Sequence, residues 1–450
     1  MNTKDWNRRC ALTAIATAAV ALFGATLGGC GGTDLTEAES EELAEALKTP
    51  VTISDQGPNA VSAWNEITYN TFSLPADPAG ATAEERAPTA IDIATVQLAV
   101  YDAVIAIAGT HRPFAVRAAT SGAGGGPVAM EAAAVEAAYR MLKGLYPSRG
   151  AQYEAPYANA VAALPATASS TLGRTIGAEV AAAMLALRAN DGRATVLPPY
   201  VPGTLPGQFR GINPVNRIGP YIKPLATLSH SQFRAPGPRA LGTAEYAADV
   251  NEVQMIASAT SAVRTAEQTT VARFHTEPPN AYWARNLRRF ATASTGLANN
   301  ARALAMVWTA YTDAISGTFE SKYHHNFWRP TSAIQLADTD GNAATTADPA
   351  WTPVVPTPNH PEYPAAHSTG AGAVAETVRT FYGTKKVTFE FNSLASGTTL
   401  QFNSTDDLVK SNIHGRVWGG MHYRTSGEHG AELGKNVAKW IAKNHFQPVP

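Results

Sequence analysis

Six side chains in the last third of the chain have the types and spacings of a site that handles an anion. Lys322 and Arg329 lie seven positions apart in "SKYHHNFWRPTSAIQ" (321–335), and Pro330 follows the arginine at once. His367 stands in "NHPEYPAAHSTGAGAVAETVRTFYG", directly ahead of a run of small residues, with His360 seven positions before it. Arg416 and His422 lie in "NIHGRVWGGMHYRTSGEHGAELGKNVAKW". An arginine fork grips oxyanion edges in pairs, and a lysine adds a compact charge. A helix starting beside His367 adds backbone N–H donors and the positive end of its dipole. Together these suit a tetrahedral or trigonal-bipyramidal oxyanion. Two imidazoles then serve as ligand or nucleophile and as acid/base.

Each residue alone has a duller reading. Lys322 and Arg329 would sit on a solvated helix face, His367 near a cap, Arg416 in a surface ion pair and His422 in the core. All of these must hold at once for the site to vanish. His324, His325, His414 and His429 match no such role and read as supporting or surface positions. Phe327 and Trp328 read as core anchors.

The elements that must position these groups are helical. Pro330 lacks a donor and restricts the residue before it, so it ends or starts a helix there. Apolar residues recur at helical spacing in "APTAIDIATVQLAVYDAVIAIAG", and alanine-rich helical stretches follow, among them "PVAMEAAAVEAAYRMLKGLY", "STLGRTIGAEVAAAMLALRAN", "TAEYAADVNEVQMIASA" and "NAYWARNLRRFATASTG". Small alanines beside an apolar stripe suit close packing in a bundle. Between Ala194 and Leu241 the chain is dense in Pro and Gly and divides two helical halves. "KKVTFEFNSLASGTTLQFN" alternates around Ser396-Gly397 as a small β-hairpin. The predicted fold is therefore mainly α: an N-terminal half over 60–240 and a C-terminal half over 241–450 that carries the site.

In order, the three motifs read K-x6-R-P, P-x-x-H before a helix, and R-x5-H. This resembles the vanadium-dependent haloperoxidases and the related type-2 phosphatidic-acid phosphatases, with the similarity running from about residue 60 to the end. The resemblance implies that His422 bonds the vanadium of a vanadate cofactor. It implies that Lys322, Arg329, Arg416 and the backbone N–H of Ala366 hold the vanadate oxygens. His367 then handles the proton when hydrogen peroxide binds, and halide is oxidised to a hypohalous-acid equivalent that halogenates small organic substrates. Within the family a histidine at the position of His360 accompanies bromide rather than chloride oxidation, so bromide or iodide is expected. Two departures stand out. Ala365 replaces the family's serine, removing a hydroxyl donor, and Ser426 replaces the aspartate that would orient His422. A backbone carbonyl or Ser426 itself is expected to take that role. Two other functions stay open: a phosphomonoesterase with His422 as nucleophile, and a non-catalytic surface lipoprotein.

Composition excludes other classes. Of 450 residues 45% are hydrophobic and 16% charged, with net charge −1, so a large core is available and no basic block marks a nucleic-acid partner. The N-terminus pairs Lys4, Arg8 and Arg9 with an apolar run ending in "LGGC" at Cys30, the layout of an export signal with a lipobox. The expectation is a signal over 1–30, an acidic tether over 31–59, and an exported periplasmic or cell-surface protein held to the membrane only through lipidated Cys30. The chain has two cysteines, and Cys10 would leave with the signal, so packing rather than a disulfide must stabilise the mature protein. No other apolar run is expected to approach the ~20 residues that span a bilayer. A homodimer is left open.

Overall fold

Small residues let helix axes approach closely, and the computed structural model of the chain is built on such contacts. It describes residues 45, 48–55, 57–72, 90–119, 124–292 and 296–450. The signal, Cys30 and most of the acidic tether lie outside the described residues. Residues 49–450 form one compact unit. Among the described residues, five α-helices of three turns or more precede the Pro/Gly-rich segment: α1 (Ala60–Phe72), α2 (Ala90–Ala108), α3 (Gly126–Leu145), α4 (Gly150–Ala163) and α5 (Ala168–Arg188). Eight follow it: α6 (Ala244–Ala257), α7 (Ala266–Phe274), α8 (Pro279–Thr292), α9 (Leu297–His325), α10 (Pro330–Gln335), α11 (Ala366–Tyr382), α12 (Thr405–Trp418) and α13 (Arg424–Asn444). The mainly α expectation holds. Helix α3 packs on α5 and α2, α11 packs on α13 and α12, and the long helix α9 touches both groups.

Helix starts follow local chemistry. Thr167, Thr243, Thr265 and Ser404 each accept an N–H from the first turn of their helix, and Thr265 with Gln268 forms a reciprocal capping box. Pro330 occupies the first turn of α10 with Arg329 as its N-cap. Asn326 closes α9 in a left-handed conformation (φ 48°), its N–H donating to Lys322 O at 2.8 Å.

The hairpin forms as expected from β2 (Val387–Ser393) and β3 (Thr398–Phe402), which run antiparallel. A two-residue strand β1 (Val51–Thr52) adds to it, pairing in parallel with Val387 and Thr388. The C-terminal end of the stretch read as tether is thus pinned to the sheet.

Helix α2 corrects one expectation, because by length and composition it is apolar enough to cross a membrane. In the fold 94% of that window is buried inside the protein. Its polar residues explain why it belongs there. Asp102 accepts N–H groups from Ala115 and Val116 at 3.0 and 2.8 Å, and Asp92 pairs with Tyr146 and Arg193. Such carboxylates need protein partners that lipid would not supply.

The Pro/Gly-rich segment is irregular but held. Buried Asp313 on α9 accepts the N–H groups of Leu225, Ala226 and Thr227, each at 2.8 Å. Trp328 N–H donates to Gly207 O (2.9 Å) and Phe209 N–H to Asn326 O (2.8 Å). One helix therefore fixes both this segment and Lys322.

The closest helix contact lies between α11 and α13. A Cβ on Gly434 would fall 2.0 Å from Thr369 O, and one on Gly372 would fall 2.1 Å from Ala431 O. Both obstacles are backbone and cannot yield. Gly434→Ala is expected to cost more than about 2 kcal/mol, at the upper end of overpacking penalties. A denaturation midpoint unchanged in that variant would refute the close packing.

Candidate active site

Four segments converge. Lys322 lies in the last turn of α9 and Arg329 caps α10; the stretch before α11 brings His360 and Glu362, and the first turn of α11 brings His367; the last turn of α12 brings Arg416, and the turn after it brings His422. Lys322, Arg329, Arg416, His360, Glu362 and His422 are all buried. His367 opens onto a cavity of about 770 Å³ that His360, Ala366, Arg416 and Met421 also line. The sequence-predicted set is therefore brought together without exception, Ala366 included.

Hydrogen bonds tie Lys322, Arg329, His360, Glu362 and His422 into one frame. Arg329 donates from Nη1 to Met421 O at 2.7 Å and from Nε to His360 O at 2.8 Å. Its Nη1 also lies 3.1 Å from His422 Nε2, and its Nη2 lies 2.9 Å from His360 Nδ1. Since arginine can only donate, His422 Nε2 accepts; His360 Nδ1 also lies 3.1 Å from Pro361 O, and Arg329 Nη2 lies 3.3 Å from His360 Nε2. Lys322 Nζ donates to the carbonyls of Pro361 (2.9 Å) and Glu362 (2.7 Å). Arg416 Nη1 donates to His275 O at 2.8 Å, while its buried Nε has no partner among the described residues.

Glu362 is the residue that sequence reasoning missed. Its Oε1 accepts His422 Nδ1–H at 2.8 Å and Tyr423 N–H at 3.2 Å. That fixes the tautomer of His422, leaving the Nε2 lone pair directed away from Glu362. Neither a backbone carbonyl nor Ser426 takes this role, so that expectation is corrected. Ser426 stands beside the Glu362 carboxyl instead. The available signal was an acidic residue in an otherwise uncharged proline-rich stretch between two motif positions.

Burial governs the protonation states. It pushes Lys322 well below the ordinary lysine value, with Arg329 and Arg416 adding to the effect. It brings Arg329 down to about 10 and Arg416 to about 9, the latter helped by Arg329. His360, His367 and His422 are all held below the ordinary histidine value, first by burial and then by neighbouring cations. His360 is thus kept neutral, and a change in its protonation near neutral pH does not explain a halide preference. Burial raises Glu362 to about 7, against the opposing pull of Lys322 and Arg329.

The donor set identifies the ligand's charge. Three cations meet one carboxylate, leaving two positive charges in excess in a buried space. The first turn of α11 has no side-chain cap, because Ala365 stands at its N-cap. Among the described residues no three His, Cys, Asp or Glu form a cation cage. These features fit an oxyanion such as vanadate: an unpartnered guanidinium nitrogen, uncapped helix N–H groups and an oriented imidazole lone pair.

The remaining histidines lie apart from this frame. His324 is exposed, His325 Nε2 lies 3.2 Å from Ala235 O, His414 stacks on Trp418, and His429 Nδ1 lies 2.6 Å from Tyr363 Oη. Phe327 and Trp328 are core residues, as expected. Sequence reasoning gave no hint of His275, whose carbonyl holds Arg416 and whose imidazole is brought down to about 3 by burial and Arg416.

The chain is similar in sequence and in fold to known proteins. Residues 302–449 match the model of the VCPO second helical-bundle domain. A vanadium chloroperoxidase from Curvularia inaequalis is 33% identical over 102 residues, which is 20% of this chain and 16% of that protein's length. A bacterial vanadium-dependent iodoperoxidase structure superposes with TM-score 0.67 at 19% identity, covering 88% of this chain and 99% of that one. A holo-type bacterial vanadium-dependent chloroperoxidase gives TM-score 0.62 at 16% identity, covering 87% and 98%.

Two outcomes test the site. Glu362→Ala frees His422 from its orienting carboxylate, so vanadate affinity, read by equilibrium titration, should fall about 10–100-fold, with a smaller loss for Glu362→Gln. Equal affinity in Glu362→Ala would remove Glu362 from this role. The second concerns pH. Four histidines (275, 360, 367 and 422) have lowered values in the fold, so below about 6.5 the unfolded chain binds more protons than the native one. Their stabilisation is present above that pH and lost as pH falls, each by up to ~1.4 kcal/mol per unit. Glu362, raised to about 7, opposes with one proton only. The urea midpoint of the vanadate-free protein should therefore drop between about pH 7 and 5. A flat profile would contradict four buried neutral imidazoles.

Proposed function

We propose, from a C-terminal bundle that belongs to the vanadium haloperoxidase family, that this chain is a vanadate-dependent haloperoxidase. With hydrogen peroxide it oxidises halide, bromide or iodide ahead of chloride, to a hypohalous-acid equivalent that halogenates small organic molecules. The observation that carries this reading is the excess of two buried positive charges around an imidazole whose tautomer Glu362 sets.

His422 Nε2 would bond the vanadium, and Lys322, Arg329, Arg416 and the Ala366 N–H would hold its oxygens. Bound vanadate supplies a Lewis-acid centre that renders peroxide electrophilic without a change of metal oxidation state. The chain's own groups do the rest. His367, neutral at the cavity floor, takes a proton from incoming peroxide and returns it to a leaving oxygen. Lys322 has its Nζ fixed at one point by two carbonyls. Arg329 Nη1 donates to the same His422 Nε2 lone pair that would bond the vanadium, so that donor would turn to a vanadate oxygen while Nη2 keeps its contact with His360.

The halide order rests on His360 and Ala365. A neutral imidazole at position 360 makes the halide pocket more polar than a phenyl ring would. Ala365 removes a hydroxyl donor that would activate bound peroxide further. Both favour the more easily oxidised halides, and the likeness to an iodoperoxidase is compatible with that order.

Glu362 also supports a second reading. A carboxylate that orients His422 is what a histidine nucleophile attacking a phosphate monoester needs. Vanadate-dependent bromination of a dye with peroxide, set against nitrophenol release from its phosphate ester, decides between the two. Bromination that requires vanadate is expected, and phosphatase turnover without bromination would overturn the first reading.

Variants sharpen the assignment. Arg416→Ala should weaken vanadate binding at least about tenfold, since a charge-assisted contact contributes roughly 1.5–3 kcal/mol. His422→Ala should abolish bromination with the fold intact, while His367→Ala should keep vanadate and lose about 10²–10⁴-fold in turnover. Equal loss of vanadate in both histidine variants would reverse their roles. The unmodified protein should brominate without appreciable chlorination, with Ala365→Ser faster and His360→Phe shifted towards chloride. Efficient chlorination by the unmodified protein would refute the halide assignment alone.

A further inference from the structure

The cavity above the site is larger and more apolar than its small reactants require. Peroxide and a halide ion are a few ångströms across, yet the space is about 770 Å³. That volume lies within the few hundred to about 1,000 Å³ typical of sites for small organic ligands. Its floor is His360, Ala366, His367 and Arg416, and its walls include Val215, Ile218, Ile222, Ile315, Phe319 and Val355. Among the described residues no carboxylate lines it, and Arg416 is the only permanent cation there. A hydrated halide gains nothing from such walls, whereas an apolar molecule that displaces water from them gains in proportion to the area covered. The walls are also fixed: Ile315 and Phe319 lie on α9, and Asp313 anchors the backbone just after Ile222.

The geometry points to an acceptor-binding site: this cavity holds the organic molecule to be halogenated, an uncharged, electron-rich aromatic compound, against the floor where halide is oxidised. The inference rests on the haloperoxidase reading and adds that the oxidised halogen is delivered in place. For an aromatic acceptor and bromide, the carbon–hydrogen bond breaks and a carbon–bromine bond forms. Two electrons pass to the peroxide, whose oxygens leave as two waters completed by the displaced aryl proton and one proton from solvent. Bound acceptor shields one face or edge from attack, so the product isomers differ from those of free oxidant.

Thymol tests this, since its ring has free positions ortho and para to the hydroxyl. Calorimetry on the full chain without peroxide should show saturable thymol binding. In turnover with vanadate, bromide and peroxide, the ratio of bromothymol isomers should differ from that given by reagent hypobromite. Ile315→Trp puts a bulky ring into the cavity wall and should weaken thymol binding by about tenfold or more and move the ratio towards the reagent value. Triiodide formation from iodide, read on the same preparations, reports the metal site independently. Triiodide formation without thymol binding, and with the reagent isomer ratio, overturns the acceptor site and leaves the haloperoxidase reading standing. Absence of triiodide formation by vanadate-loaded protein overturns both.

Discussion

Buried charge without a counter-charge is the constraint on which this molecule turns. Lys322, Arg329 and Arg416 are removed from water, and Glu362 is the one carboxylate set among them. Left alone, such an arrangement is costly, and the cost shows in how far burial pushes the lysine and both arginines below their ordinary values. The fold tolerates it by giving the cations carbonyls from neighbouring loops: Pro361, Glu362, His360, Met421 and His275. These carbonyls solvate the charges without neutralising them. Affinity for an oxyanion is therefore stored in the folded chain rather than assembled when the anion arrives.

The same economy explains the histidines. An imidazole surrounded by cations is driven neutral, which is the form that offers a lone pair. His422 needs its lone pair on Nε2 rather than Nδ1, and Glu362 settles that by accepting the Nδ1 proton. The carboxylate thus contributes twice, once to the charge balance and once to the tautomer.

Much of this was legible in the sequence, for identifiable reasons. Lys322, Arg329, His367, Arg416 and His422 sit in short segments whose spacing and order are preserved by adjacent helix ends, so local pattern was enough. Pro330 marked the start of α10, and the hairpin followed from strict alternation. What escaped was through-space pairing. Glu362 and His422 are sixty positions apart, and a search near residue 426 could not find a partner that arrives from another segment. β1 was too short to carry a period, and its pairing with β2 depends on the whole unit being folded. Helix α2 is legible from its apolar spacing, but Asp92, Gln97 and Asp102 within it leave it apolar enough, by length and composition, to qualify as a membrane span.

Asp313 holds the irregular segment mainly by the backbone N–H groups of Leu225, Ala226 and Thr227, with the Thr227 hydroxyl as a fourth donor at 3.1 Å. The three backbone donors are indifferent to sequence: any residue except proline presents the same N–H. The side chains at 215–222 that face the cavity are consequently released from the task of keeping their own loop in place. The mouth of the cavity can then be redrafted one residue at a time while Lys322, nine residues along the same helix, stays where it is. Selectivity and reactivity can diverge at different speeds in one chain.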